Sequence, residues 1–275
     1  MDLSKIKLIA TDMDGTLLNS SHEVSNLFLE LFKELKKHNI LFVAASGRPF
    51  YSIIEKLSAI KNDIIIVAEN GGIVVENDTI LLSTPINKDN LILIEGLIDS
   101  NNHIHPIFCT RTKAFFKNTS DTFIDLLSEY YPAYEVIESI HDIEDDILKI
   151  ALYNEEDSKR NIYPLFKHLE PDYKVKISGK HWVDISHELA NKGYALELLQ
   201  SIYNITPDET LAFGDYDNDI EMLLKSSFSF AMENANGNIK NIAVYETKSN
   251  NDFGVELVLE QLIEAKKSLV NYQKP

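Results

Sequence analysis

One cysteine, Cys109, is too few for an intrachain disulfide or for a zinc site built on paired thiolates. Positive charge is also short: 26 Lys and Arg stand against 43 Asp and Glu, a formal net charge of −17. That balance argues against a nucleic-acid groove or an anionic membrane surface as partner, because both need excess positive charge. A small anionic ligand stays possible, since it feels the few groups lining its pocket and any divalent cation held there. No stretch approaches the roughly 18 apolar residues of a membrane span, and no basic segment with a following apolar run opens the chain. Repeats and low-complexity tracts are missing too. The expectation is a soluble, unexported protein of a reducing cytoplasm. With 275 residues and 44% hydrophobic content, the chain can fill one large domain or two smaller ones.

Residues 6–11 (IKLIAT) form a mostly apolar run, the pattern of a strand buried on both faces of a parallel sheet. Val24, Leu27, Phe28, Leu31, Phe32 and Leu35 then recur every three or four positions and predict a helix with one apolar stripe. Residues 40–46 and 63–70 read as further strands, with a helix between them that has Pro49 near its first turn. This β-α-β-α-β series predicts an α/β fold with a doubly wound parallel sheet, whose functional loops gather at the carboxyl ends of the strands. Gly71 and Gly72 precede a predicted hairpin in residues 73–84, and the rhythm changes at Pro85. Between about 85 and 185, helices are expected at 89–101, 119–131 and 158–170, and strands at 105–117, 146–154 and 173–185. That mixture reads as an inserted α+β domain. The α/β rhythm resumes with a helix at 192–203, a strand at 210–214, a helix at 218–227, a strand at 228–232 and a last helix near the C-terminus. One core, 1–84 and 186–275, is thus split by an insert at 85–185.

Asp12 and Asp14 lie one residue apart just past the first strand, with Gly15 allowing the chain to turn away. Like charges held this close either raise one pKa or share a cation or proton. A capped turn is the alternative, since Asp, Gly and Thr are all common in turns. A second acidic cluster, Asp215, Asp217, Asn218 and Asp219, follows the strand at 210–214. An all-oxygen set of this kind favours Mg²⁺ over zinc or copper, while helix capping by Asn218 or Asp219 would explain only one or two of the acids. The run lacks the central glycine and twelfth-position acid of an EF-hand. Ser46, Gly47 and Arg48 follow the second strand, where a hydroxyl and loop amides can hold a phosphoryl oxygen; Lys192 opens a helix, where its charge and the helix N-terminus can act together. A routine loop and a solvated lysine are the plain readings of these two features.

Taken together, these segments resemble the haloacid dehalogenase superfamily of phosphohydrolases, specifically its Cof-like branch, over nearly the whole chain. DxDGT matches Asp12 to Thr16, a Ser before Gly-Arg matches Ser46, a Lys matches Lys192, and GDxxND matches Gly214 to Asp219. The branch also has NGG, here Asn70 to Gly72, and N-x-x-x-G-V, here Asn251, Gly254 and Val255 with one intervening residue fewer; Glu233 stands where the branch often has Gly before Asn234-Ala235. The resemblance implies a Rossmann-like core with a cap, and a Mg²⁺-dependent phosphatase of small phosphorylated metabolites such as sugar phosphates or phosphorylated cofactors. It implies Asp12 as nucleophile, Asp14 as general acid and base, and Ser46 and Lys192 on the phosphoryl oxygens. Mg²⁺ would be held by Asp12, the Asp14 backbone carbonyl, Asp215 and Asp219. Gly47, Arg48, Asn70, Gly71 and Asn218 are expected to border the substrate phosphate. A phosphomutase, a receiver-type phosphoprotein and an inactive metabolite-binding protein are the competing readings, and the insert's length disfavours the receiver. His103, His105, Arg111, Lys113, His181 and Trp182 in the insert are expected to serve packing or surface roles, and Cys109 to be a buried small residue.

Overall fold

The computed structural model describes residues 2–117, 121–128, 131–170 and 172–272. Its first strand, β1 (Leu8–Thr11), is buried at every position. Helix α1 (Asn26–Lys37) follows, capped by Ser25, whose hydroxyl accepts from the Phe28 amide at 2.9 Å. Next come β2 (Leu41–Ala45), α2 (Phe50–Lys56), β3 (Ile65–Ala68), and the hairpin β4 (Ile73–Glu76) and β5 (Thr79–Ser83). The apolar stripe of α1 lands on β2, where the Phe42 ring lies 5.3 Å from Phe28 and 5.7 Å from Phe32 between centroids.

A second set of elements occupies residues 88–187: α3 (Lys88–Asp99), β6 (His105–Cys109), β7 (Ala114–Lys117), α4 (Asp121–Ser128), β8 (Tyr134–Ile137), β9 (Lys149–Tyr153), α5 (Ser158–Asn161), α6 (Tyr163–Phe166), β10 (Tyr173–Ile177) and β11 (Trp182–His187). The chain then returns through α7 (Lys192–Tyr203), β12 (Thr210–Gly214), α8 (Ile220–Leu224), β13 (Phe228–Ala231), α9 (Gly237–Ile242), β14 (Tyr245–Glu246) and α10 (Gly254–Tyr272).

Two sheets result. The eight-stranded one runs β14-β13-β12-β1-β2-β3-β4-β5, parallel as far as β3 and antiparallel beyond. Leu8 pairs with Leu41 on one side and Thr210 on the other, so β1, β2 and β12 end at the same level. Helices on both faces make this a doubly wound α/β fold. The six-stranded sheet runs β10-β11-β9-β6-β7-β8 and is antiparallel except for β7 and β8. Each sheet has its own apolar interior, the second with clusters on both of its faces. Among the described residues no helix is long and apolar enough to cross a membrane.

Four local expectations need correction. Residues 105–117 are not one strand but an antiparallel pair, turned by Thr110, whose hydroxyl accepts from the amides of Thr112 and Lys113 at 3.3 and 3.4 Å. Residues 173–185 likewise form a hairpin, folded through Ser178 and Gly179, and its second strand continues to His187, two residues past the expected end of the insert. The helix expected at 158–170 is broken into short turns about Pro164, which lacks the amide needed to continue it. Strands Tyr134–Ile137 and Tyr245–Glu246 were not expected at all. Of the helix expected at 119–131, positions 119, 120, 129 and 130 lie outside the described residues.

Candidate active site

Because β1, β2, β3 and β12 are parallel and in step, the residues immediately after them meet at one edge of the sheet. Asp12 follows β1, Ser46 follows β2, Glu69 follows β3 and Asp215 follows β12. Carboxylate oxygens of Asp12, Asp215 and Asp219 all lie within 4.8 Å of one another. Lys192, the first residue of α7, reaches under this cluster. Its Nζ donates to Asp12 Oδ1 at 2.5 Å and to Asp219 Oδ1 at 2.6 Å, with the lysine side chain wholly buried. Asp219 Oδ2 in turn accepts from the amides of Asp215 and Tyr216 at 3.0 and 3.2 Å. Asp219 is therefore a buttress with both oxygens engaged, whereas among the described residues the Asp215 carboxylate has only the Thr16 hydroxyl, at 3.1 Å.

One ammonium among three carboxylates leaves the cluster short of positive charge. Burial pushes the Asp12 carboxyl well above the usual range despite Lys192, and neighbouring Asp219 and Asp215 push the same way. Asp215 is pushed up to about 6, by burial first and then by Asp219. A hard divalent cation would relieve both, and an all-carboxylate donor set suits Mg²⁺. The approach of the loops is tight: Gly15, at φ +77°, is so near that a Cβ would lie 2.4 Å from Asp215 Oδ2.

Asp14 is turned away from this cluster. Arg48 grips it with two hydrogen bonds, Nε to Oδ2 at 2.6 Å and Nη2 to Oδ1 at 2.5 Å, and His22 Nδ1 lies 3.1 Å from Oδ1. Burial alone would raise the Asp14 carboxyl, but the Arg48 hydrogen bonds and charge, with His22, hold it below the usual range. Ser46 is buried, and its hydroxyl accepts from the Arg48 amide at 3.1 Å. Asn70 accepts from Asn218 Nδ2 at 2.9 Å, and a Cβ on Gly47 would meet the Asn70 side chain at 3.0 Å. Gly71, at φ +99°, lies against the backbone of Asn191, the N-cap of α7. Asn234 Nδ2 donates to the Gly15 carbonyl at 2.7 Å and Asn250 Nδ2 to the Leu18 carbonyl at 2.8 Å, so the C-terminal loops brace the turn that follows Asp14.

A cavity of about 860 Å³ opens over these groups. Asp12, Asp14, Ser46, Gly47, Arg48, Asp215 and Asn218 line it from the first sheet, and Tyr131, Pro132, Lys149 and Ser178 from the second. A further cavity of about 530 Å³ is bordered by four of the same residues, Lys149, Ser178, Tyr216 and Asn218. The expected residues are thus brought together, except that Asn70 borders the smaller cavity and Gly71 neither, and two others differ in role. Lys192 lies beneath the carboxylates rather than on the cavity wall, spending two of its three N–H groups on them. Arg48 does line the cavity, but its guanidinium is occupied by Asp14. Thr16, His22, Glu69, Lys149 and Ser178 were not anticipated. Thr16 is the last residue of the DxDGT match and Glu69 immediately precedes the Asn70 to Gly72 match, which was the available signal; the others carry none. His103 and His105 border a separate cavity of about 540 Å³, Trp182 packs on Tyr131 and Tyr153, and Cys109 is buried.

Comparison with known proteins agrees with this geometry. A sequence profile of haloacid dehalogenase-like hydrolases matches residues 9–259. The chain is 31% identical over 261 residues to the 5-amino-6-(5-phospho-D-ribitylamino)uracil phosphatase YbjI of Escherichia coli, covering 94% of this chain and 96% of that one. It is 27% identical to the Bacillus subtilis phosphatase YwtE, whose name gives the same substrate, with 94% and 98% covered. The crystal structure of SMU.1108c from Streptococcus mutans superposes with a TM-score of 0.84 at 30% identity, covering 94% of this chain and 99% of that chain.

Proposed function

This chain belongs to the haloacid dehalogenase-like hydrolases and is a phosphoric monoester hydrolase, and from that premise we propose that it cleaves small phosphorylated metabolites with Mg²⁺ through a phosphoryl group carried on Asp12. The observation that carries this reading is the triad of buried Asp12 and Asp219 with half-buried Asp215, set over Lys192 and opening into the large cavity. Residues 1–84 and 186–275 would form the catalytic unit and residues 85–185 the cap. Asp12, Asp215 and the Asp14 backbone carbonyl would hold Mg²⁺, with Asp219 bracing them. When bound, the ion supplies the positive charge that lets an anionic ester approach a carboxylate.

Repulsion makes that charge necessary. One pair of unit charges at about 4 Å costs roughly 4 kcal/mol at an effective dielectric of 20. In the first half-reaction an Asp12 oxygen attacks phosphorus, the bond from phosphorus to the ester oxygen breaks, and Asp14 gives its proton to the departing oxygen. In the second, Asp14 takes a proton from water as that water attacks phosphorus, and Asp12 leaves as a carboxylate. Arg48 keeps Asp14 ionised at rest, the form the second half needs. An arriving phosphate dianion adds negative charge beside Asp14 and so favours the protonated form that the first half needs. The Ser46 hydroxyl, which the Arg48 amide orients, and the loop amide of Gly47 are suited to the phosphoryl oxygens, and Asn70, Gly71 and Asn218 frame them. Little more is required of protein groups in phosphoryl transfer than such positioning and charge stabilisation.

Two relatives are named for one substrate, so 5-amino-6-(5-phospho-D-ribitylamino)uracil is the first ester to assay here, beside sugar phosphates. Phosphate release that depends on Mg²⁺ and disappears in Asp12→Asn is expected. An isomerised substrate without release would indicate a mutase, and saturable binding without turnover an inactive binding protein.

A further inference from the structure

Lys149, on strand β9 of the second sheet, and Glu69, in the turn after β3 of the first, are buried together with Lys149 Nζ 2.5 Å from Glu69 Oε2. Among the described residues this is the only ion pair of Lys149, and neither Glu69 oxygen has a well-directed hydrogen bond. Charge rather than hydrogen-bond geometry therefore holds the pair. Glu69 also has an unusual backbone: it lies at φ +50°, Asn70 at +56° and Gly71 at +99°, three successive residues in the left-handed region. Such a stretch persists only where its surroundings restrain it, and for a glutamate the restraint must be strong.

The restraints all lead to the catalytic loops. The Glu69 and Asn70 amides donate to the carbonyls of Arg48 and Ser46 at 3.0 and 2.9 Å. Asn70 receives Asn218, and Gly71 abuts Asn191 immediately before Lys192. The loops after β2 and β12 and the start of α7 thus meet on one strained turn, and the second sheet reaches that turn through the buried Lys149 charge, beside Leu148, which packs into the first core. We propose that Lys149 is a positioning residue for phosphoryl transfer: by holding Glu69 it fixes the turn that registers Ser46, Asn218 and Lys192, so docking of the second sheet is coupled to assembly of the phosphate site.

This rests on the phosphohydrolase reading, and the test separates the two. Wild-type phosphate release with and without Mg²⁺ decides that reading alone. For the inference, Lys149→Met, Glu69→Gln, Lys149→Met/Glu69→Gln and Lys149→Arg are compared on phenyl phosphate and on 5-amino-6-(5-phospho-D-ribitylamino)uracil. The neutral variants are expected to lose at least tenfold in kcat on both esters with KM changed less than threefold. The double variant should be no worse than the poorer single one, and Lys149→Arg should recover most of the rate. Amide hydrogen exchange of residues 69–72 in Lys149→Met should rise at least tenfold whether or not the protein turns over. Three results would overturn the proposal: wild-type kcat in the double variant, which removes both charges and so avoids stranding one; a loss confined to KM for the larger ester, which would make Lys149 a leaving-group contact; or unchanged exchange at 69–72.

Discussion

Replacing Lys192 with methionine keeps most of its volume and removes, among the described residues, the only ammonium in contact with Asp12 and Asp219, at 2.5 and 2.6 Å. The lysine side chain and that of Asp219 are fully buried, so water cannot take over the lost interactions. Breaking a buried pair by deleting one partner costs about 3–5 kcal/mol, and here one deletion strands two carboxylates. At pH 7 in EDTA, Lys192→Met should therefore lose about 3–5 kcal/mol of unfolding free energy by urea denaturation. The deficit should shrink as the pH is lowered towards 5, because the stranded carboxyls can then take up protons. Adding Asp219→Asn should restore part of it, since the amide removes one of the stranded charges. Phosphate release should fall at least about a hundredfold, the scale of losing one preorganised electrostatic contact. A variant within about 1 kcal/mol of wild type in EDTA would refute the burial argument, a typical surface substitution being that mild. Turnover above a tenth of wild type would separately remove Lys192 from the phosphoryl site.

Three more outcomes follow from the same geometry. Asp215 has a raised pKa of about 6 in the folded, metal-free protein, so the unfolded chain releases its proton more readily between about pH 4 and 6. Stability in EDTA should fall over that interval relative to Asp215→Asn, and Mg²⁺ should abolish the difference; parallel curves for the two proteins would contradict the assignment. Arg48→Ala frees Asp14 from the grip that lowers its pKa, so the alkaline limb of the kcat/KM profile, where Asp14 must be protonated for the first half-reaction, should move to higher pH, and an unmoved limb would show that Asp14 is not the titrating acid. Gly15→Ala combines a left-handed backbone with a Cβ 2.4 Å from Asp215 Oδ2, so weaker Mg²⁺ binding by calorimetry is expected, with more than about 1 kcal/mol lost in stability; wild-type affinity would mean the carboxylate can shift freely.

The parts of the site that were legible in the chain are those where local pattern and chemistry coincide. Apolar runs ending in Asp12, Ser46 and Asp215 announced strands whose next residues carry polar groups, and parallel topology then brought those groups to one edge. The third carboxylate, Asp219, was legible from the acidic cluster and the GDxxND match, and its Oδ2 accepts from the Asp215 amide at 3.0 Å. Partner choice was not legible. Lys192 is 180 residues from Asp12, Arg48 is 34 from Asp14, and nothing local records that each cation prefers a carboxylate to the ligand. Glu69 and Lys149 were missed for the same reason, with the further obstacle that a left-handed glutamate breaks the usual preference for Gly or Asn. Among the elements, the Thr110 turn lacks Gly or Pro and passed as continuous strand, whereas Ser178-Gly179 was a usable turn signal. Strands of two and four residues, such as β14 and β8, are too short for alternation to emerge.

The most direct measurement is acid quenching during turnover in the presence of Mg²⁺, followed by peptide mapping by mass spectrometry. A phosphoryl adduct on Asp12 is expected in the peptide spanning residues 8–20, absent with EDTA and absent in Asp12→Asn. Phosphate released at the wild-type rate by Asp12→Asn, or an adduct mapped to any other residue, would contradict it.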